Sequence, residues 1–250
     1  MRVLVLIPAR GGSTTLPRKN VLPFCGKPLI AYSIDAARGA AEEGAPIDRI
    51  IVSTEDAEIA KIGREWGAEV PFTRPTELAR SDTPSLPVVQ HALSFVEKEE
   101  GLRYDWVLLL QPTSPLRTSK DIIRALEIAR EPETTAVIGV TDAGNSHPAK
   151  LKLIVEGVLK PYLGDALTPQ RRQDFDFEVY KTNGAIYLAR RDVLMAQDSF
   201  FGTCPRPLVM PPERSIDIDT RLDFEISEVV YRRFQMQEPK EAMPCPARAT

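Results

Sequence analysis

The chain has 250 residues, 43% of them hydrophobic, and a formal net charge of −3. This length holds one large α/β domain, or one domain with a small appendage. The charge argues against a general nucleic-acid binder, which carries a basic patch and a high pI, and three scattered cysteines with two histidines argue against a disulfide framework or a structural zinc site.

Residues 2–8 read as a short buried strand, continuous and β-branched. "PLIAYSIDAARGAAEEG" reads as a helix, with Pro28 in its first turn and Gly44 past its end. A second strand, "DRIIVST", is followed by a second helix over 56–67, and "AEVPFT" reads as a brief third strand. A helix over 86–101 precedes "DWVLLL", the most apolar strand. A helix over 119–131 opens on a capping pattern, Thr118 to Asp121, and "TTAVIGV" returns to strand. This alternation predicts a mostly parallel sheet covered on both faces.

The rhythm breaks over 141–182, where "LKLIV" and "GVLKPYL" are strand-like pieces among polar loops with no crossover helix. We read this stretch as an inserted subdomain between residues 1–140 and 183–235. "GAIYLAR" resumes the core, "RDVLMAQ" is a short helix, and "RLDFEISEVVYRRFQ" is a final amphipathic helix with a second capping pattern at Thr220 and Asp223. Residues 236–250 have no apolar periodicity and are expected to be a disordered tail. One arginine and six apolar residues before Ala9 are too short for a secretory core, and no run is long enough to span a membrane. A cytoplasmic protein with free thiols is expected, with no membrane or nucleic-acid partner.

In open α/β sheets, ligands bind beyond the carboxyl ends of the strands, so the polar segments after the apolar runs are the places to search. "ARGGSTTLPRKN" at 9–20 is neither a dinucleotide fingerprint nor a P-loop. Gly11 and Gly12 allow close backbone approach. Ser13, Thr14 and Thr15 donate hydrogen bonds, and Arg10, Arg18 and Lys19 bring charge. Such a loop suits a phosphate chain, each charge-assisted bond contributing about 1.5–3 kcal/mol; a solvated basic loop has the same composition. In "QPTSPLRT" two prolines stiffen the chain after the apolar strand, and Gln111 offers an amide to a ligand; a plain connection is the alternative. In "RSIDIDT", extended backbone puts Asp217 and Asp219 on one side. Paired carboxylates near phosphates suit Mg2+; an acidic start to the last helix also explains them. "RRQ" and "KTNGAIY" join cations and amides to a strand. His91 reads as a packing residue and His147 as a turn residue.

Taken in order, "IPARGGS", "LPRKN", "RPTELA", "LLQPTSPLRT", "RRQ", "NGAIY", "SFFG" and "RSIDIDT" resemble the acylneuraminate cytidylyltransferase family, the CMP-sialic acid synthetases and their relatives for other nonulosonic acids. The resemblance covers residues 3–234. It implies a Rossmann-like nucleotidyltransferase fold with a small inserted dimerisation subdomain, a homodimer, and Mg2+-dependent transfer of CMP from CTP to the anomeric hydroxyl of a sugar acid. It further implies that Arg10, Gly11, Gly12, Ser13, Lys19 and Asn20 form the nucleotide loop, with Arg74 and Ser85 in a second nucleotide segment. Gln111, Gln173, Asn183, Tyr187, Phe200 and Phe201 lie on the sugar side. Lys150 and Arg172 reach toward the partner subunit's site, Asp217 and Asp219 hold the metal, and Arg10, Lys19, Asp217 and Asp219 carry catalysis.

The first loop departs from the family. The family commonly reads G-S-K-G there, and this chain has Thr14 and Thr15 after Ser13. Related 3-deoxy-octulosonate cytidylyltransferases read S-T-R-L-P, so the loop is intermediate. An octulosonate-type substrate, or a catalytically impaired nucleotide-binding homologue, is therefore the alternative. A glycosyltransferase would also use a D-x-D, but that motif usually follows a central strand, and here it lies near the chain end.

Overall fold

The computed structural model describes residues 1–13, 15–162 and 178–237. Its centre is a six-stranded sheet in the order β10-β6-β9-β5-β1-β4. Strand β1 (Val3–Pro8) pairs in parallel with β4 (Ile47–Ser53) and β5 (Trp106–Leu109). Strand β6 (Ala136–Asp142) pairs in parallel with β10 (Pro205–Val209). Strand β9 (Tyr180–Arg190) lies between β5 and β6, antiparallel to both. The expected α/β class with a mostly parallel sheet is what the chain forms. The reversed strand is the one the chain enters from the 141–182 excursion, where the strand–helix alternation of the sequence breaks.

Helices α1 (Leu29–Glu42) and α4 (Ser119–Ile128) pack on one face, and α3 (Ser85–Glu100) and α5 (Arg191–Ala196) on the other. Alternate residues of each strand serve opposite cores. Val3, Val5 and Ile7 join Ile30, Ile34 and Ile122, while Leu4 and Leu6 join Val89, Leu93 and Val107. Each such fully buried side chain contributes about 1.5–3 kcal/mol. The Thr118–Asp121 capping box forms as expected. Asp56 caps α2 (Ala57–Glu65) by accepting from the Glu58 and Ile59 amides.

Several boundaries differ from the sequence reading. "AEVPFT" is no strand: it makes one isolated parallel bridge, Ile51 to Glu69, and Pro71 lacks the N–H that would continue a ladder. The edge strand β10, with prolines at 205 and 207, was not anticipated; an edge is where such residues are tolerated. Pairs Thr141–Lys181 and Asp142–Tyr180 carry the main sheet into the expected insertion from both sides. The last helix, α6, runs over Arg221–Gln237, two residues into the tail expected over 236–250; 238–250 lie outside the described residues.

Two small hairpins remain. One joins β2 (Pro23–Phe24) to β3 (Lys27–Pro28). The other joins β7 (Lys152–Val155) to β8 (Val158–Pro161) through Glu156 and Gly157, both at positive φ. Along it Leu153, Ile154, Val158 and Leu159 are exposed. No described helix is long and apolar enough to cross a membrane.

Candidate active site

Beyond the ends of β1, β4 and β5, four polar segments enclose a cavity of about 480 Å3. The opening loop contributes Arg10, Ser13, Thr15, Lys19 and Asn20 to its wall, and the 74–85 segment contributes Arg74, Arg80, Thr83 and Ser85. Gln111 and Thr113 close one side, and Asp217 and Asp219 another.

These segments are far apart in sequence, and an apolar cluster holds them together. Leu16, Leu116 and Ile218 each belong to a different site segment, and all three pack with Phe24, Leu29, Tyr32 and Phe224. Phe24 meets Tyr32 and Phe224 edge-to-face, with centroids 5.0 and 5.4 Å apart. The Ile218 amide also donates to the Thr113 carbonyl at 2.9 Å. Ile218 thereby faces the core, and the flanking carboxylates face the cavity.

Within the opening loop the Asn20 amide donates to the Arg10 carbonyl at 2.9 Å, and the Gly11 amide donates to Glu55 at 2.7 Å. Gly11 and Gly12 are not on the cavity wall. Arg18 and Lys19 diverge, because Arg18 adopts the left-handed conformation at φ 57. Lys19 turns inward, where its ammonium donates to the Ile218 carbonyl at 2.7 Å and to Asp219 at 3.2 Å. Arg18, expected to add charge at the phosphates, turns outward to Asp56 and Glu58.

Arg74 is 4% exposed. Its side chain donates to the hydroxyl and carbonyl of Ser53 at the end of β4. Burial pushes its pKa down to about 10, Glu55 opposes this, and Arg10 adds to it. The Asp217 carboxyl opens on the cavity, but its walls strip away much of its hydration, which pushes its pKa above the usual carboxylate range. Thr113 and Lys19 work against that shift and Asp219 adds to it.

Gln111 is fixed from behind. Its carbonyl accepts from Arg117 at 3.2 Å and from the Ser33 hydroxyl at 3.3 Å. Arg117, buried to 4%, also donates to Ser33 Oγ and the Ser114 carbonyl. Gly184 stands against Gln111 at φ +74, and a Cβ there would lie 3.0 Å from Gln111 Oε1.

Other expected site residues lie elsewhere. Asn183 is buried, and its amide is consumed internally by Ser215 at 3.0 Å and the Ala185 amide at 3.1 Å. It braces "RSIDIDT" against β9 and does not face the cavity. Tyr187 packs on Phe200 with centroids 5.7 Å apart, off the cavity wall. Phe201 is exposed. Lys150 reaches Asn145 at 3.4 Å. Thr14, Arg172 and Gln173 lie outside the described residues. Sequence reasoning missed Arg117, Thr113 and Glu55; the only signal for Arg117 was its place in a stiff loop before a helix cap.

The sequence profile of the cytidylyltransferase family matches residues 4–225. The chain is 35% identical over 234 residues to the CMP-N,N'-diacetyllegionaminic acid synthase of Legionella pneumophila, covering 91% of this chain and 95% of that one. It is 30% identical over 232 residues to a pseudaminic acid cytidylyltransferase of Campylobacter jejuni, covering 93% and 97%. The structure of a CMP:2-keto-3-deoxy-manno-octonic acid synthetase complexed with CTP superposes with a TM-score of 0.65 at 20% identity, covering 94% of this chain and 100% of that one. That last likeness concerns the fold alone.

Proposed function

The chain belongs to the cytidylyltransferase family, and on that premise we propose that it transfers CMP from CTP to the anomeric hydroxyl of a nonulosonic sugar acid, releasing pyrophosphate. The observation that carries this reading is the convergence on one cavity of four cations, Arg10, Lys19, Arg74 and Arg80, with the Asp217–Asp219 pair and the Gln111 amide.

In this reading Arg10, Ser13, Lys19 and Asn20 hold the triphosphate, with Arg74 and Ser85 on the nucleoside side. Gln111 orients the sugar acid. Its anomeric oxygen attacks the α-phosphorus in line, the bond to the bridging oxygen breaks, and pyrophosphate leaves. Little covalent chemistry is asked of the protein. Orientation and charge complementarity supply most of the acceleration. Lys19 is positioned by the Ile218 carbonyl and Asp219 and can exchange the carboxylate for a phosphate oxygen.

Asp217 and Asp219 share one cavity wall. Two carboxylates beside room for phosphate oxygens form a donor set that suits magnesium, although no cluster of three or more candidate metal ligands occurs among the described residues. When bound there, Mg2+ would neutralise charge on the phosphate oxygens.

We also propose a cytoplasmic homodimer assembled through the β7–β8 hairpin, whose exposed apolar residues form a patch of the kind that marks an interface. Lys150, and Arg172 beyond the described residues, would then approach the neighbouring subunit's site.

The test is pyrophosphate release from CTP and Mg2+ with legionaminate-, pseudaminate- and neuraminate-type acids beside a 3-deoxy-octulosonate. Release with a nonulosonic acid supports the reading. Release with the octulosonate alone, or CTP binding without turnover on any acid, overturns it.

A further inference from the structure

We propose that a second cavity, of about 700 Å3 behind the 111–118 loop, binds a small anion carrying a planar ring, and that Arg117 couples it to the active site. Its size is that of a small-molecule site. It lies among α1, the start of α4 and the end of α6, away from the strand ends that hold the proposed substrates.

The wall has two chemistries. Tyr32, Tyr231 and Phe234 present aromatic surface, with Tyr32 and Tyr231 edge-to-face at 5.1 Å. Lys27, Lys120, Arg214 and Arg117 face only two carboxylates, Asp35 and Asp121. Lys27 and Arg214 are matched to these at 2.7 and 2.6 Å. The positive excess therefore rests on exposed Lys120 and on buried Arg117.

Arg117 is what points to a ligand. Its Nε is buried and has no hydrogen-bond partner among the described residues. Leaving a buried donor on a charged group unsatisfied is unfavourable, and burial pushes the pKa of this guanidinium down to about 9. An anion in the cavity would offset the buried charge through space. The remaining nitrogens of Arg117 hold the Gln111 and Ser114 carbonyls, so one side chain belongs to the wall of this cavity and fixes the loop of the active site. Rings and cations together select a planar anion over an inorganic one.

Phenyl phosphate is the probe. Lys27 Nζ lies 5.2 Å from the Trp66 ring centroid, so in a Trp106→Phe background, where Trp66 is the remaining tryptophan, its emission reports occupancy. We expect a saturable change, with half-saturation raised about tenfold by Lys120→Glu and by Phe234→Ala and unmoved by Lys19→Ala. A response without saturation overturns the site, as does one that Lys19→Ala weakens and the other two variants leave alone, since the probe is then in the active cavity. Coupling is read by calorimetry as the affinity for CTP with and without phenyl phosphate. A shift in the wild type that disappears in Lys120→Glu supports it, and an unchanged affinity with the second cavity filled refutes it. The first arm stands whether or not the chain is a transferase; only the second depends on CTP being its nucleotide.

Discussion

At the cavity beyond the strand ends, charged side chains are taken out of water; at the β7–β8 hairpin, apolar side chains are left in it. Arg74 is 4% exposed and the Lys19 side chain 12%, whereas Ile154 is 76% exposed and Leu159 68%. Neither arrangement is favourable for an isolated chain. Desolvating a cation is costly unless partners repay it, and a run of exposed apolar residues invites association. Under the function proposed above, an anionic ligand would fill the cavity and a second copy of the chain would cover the hairpin. The contrast also separates what must be rigid: the cavity is stapled by Leu16, Leu116 and Ile218, and the hairpin is a two-stranded sheet of its own.

The largest expected effect breaks the cavity side. Lys19→Ala and Asp217→Asn should each lower turnover about 10²–10³-fold, measured as pyrophosphate release, with unchanged circular dichroism. Near-normal rates in both variants would remove charge neutralisation from the account. Asp217 adds a sign to this. Its pKa is raised above the usual carboxylate value, so protons would compete with a metal held there, and raising Mg2+ should move the acid limb of the wild-type rate profile to lower pH.

The next breaks the hairpin side. Ile154→Asp together with Leu159→Asp should weaken self-association by about a hundredfold or more, as expected from losing two buried aliphatic side chains. The positions are exposed in the single chain, so its own stability should change little. Sedimentation at several concentrations measures this. A wild-type protein that remains monomeric would overturn the proposed dimer.

How much of this was legible in the sequence depended on the range of the signal. Helices α1 to α4 followed from apolar periodicity and caps that lie within a few residues of each other. So did the parallel order of β1, β4 and β5, each reached through a helix. The direction of β9 was not legible, since it depends on where the 141–182 excursion returns. The reading of "AEVPFT" failed because β-rich composition outweighed Pro71, and β10 was missed because its two prolines disguised an edge. At the site, the spacing of Asp217 and Asp219 placed both on one wall. Composition could not show that Arg18 turns away and Lys19 inward, because a single left-handed residue decides it. Nor could it show that Asn183 spends its amide on Ser215, or that Arg117 buttresses Gln111. The first rests on a contact 32 positions apart, and the second, though Arg117 and Gln111 are six apart, goes with an Arg117–Ser33 contact spanning 84.

A smaller effect sharpens the contrast between strain and site. Gly184→Ala meets positive φ and also crowds Gln111. It should destabilise by about 1–2 kcal/mol and raise KM for the sugar acid. Gly26→Ala meets a similar φ, +93, with no atom within 4 Å, so it should carry the strain and leave KM unchanged. Equal KM values in the two variants would detach Gln111 from substrate positioning.

The smallest expected effect lies beside the largest. Arg18 adjoins Lys19 but pairs with Asp56 and Glu58 at the start of α2, and its side chain is 39% exposed. Solvent screening limits such a pair, so Arg18→Ala should lower stability by less than about 1 kcal/mol and leave turnover within about threefold, a free-energy change under 1 kcal/mol. The pH dependence has a definite sign. The Arg18 hydrogen bond, with help from the α2 amides, holds the Asp56 carboxyl below its usual value of 3.8. Its contribution is present above that value and is lost as pH falls through the lower native one. The stability gap between wild type and Arg18→Ala should therefore be open at neutral pH, close in strong acid, and narrow with added salt; denaturant titrations across pH measure it. If Arg18→Ala instead loses as much turnover as Lys19→Ala, the guanidinium must leave Asp56 and enter the cavity when nucleotide binds, and the outward arm of this loop belongs to the site after all.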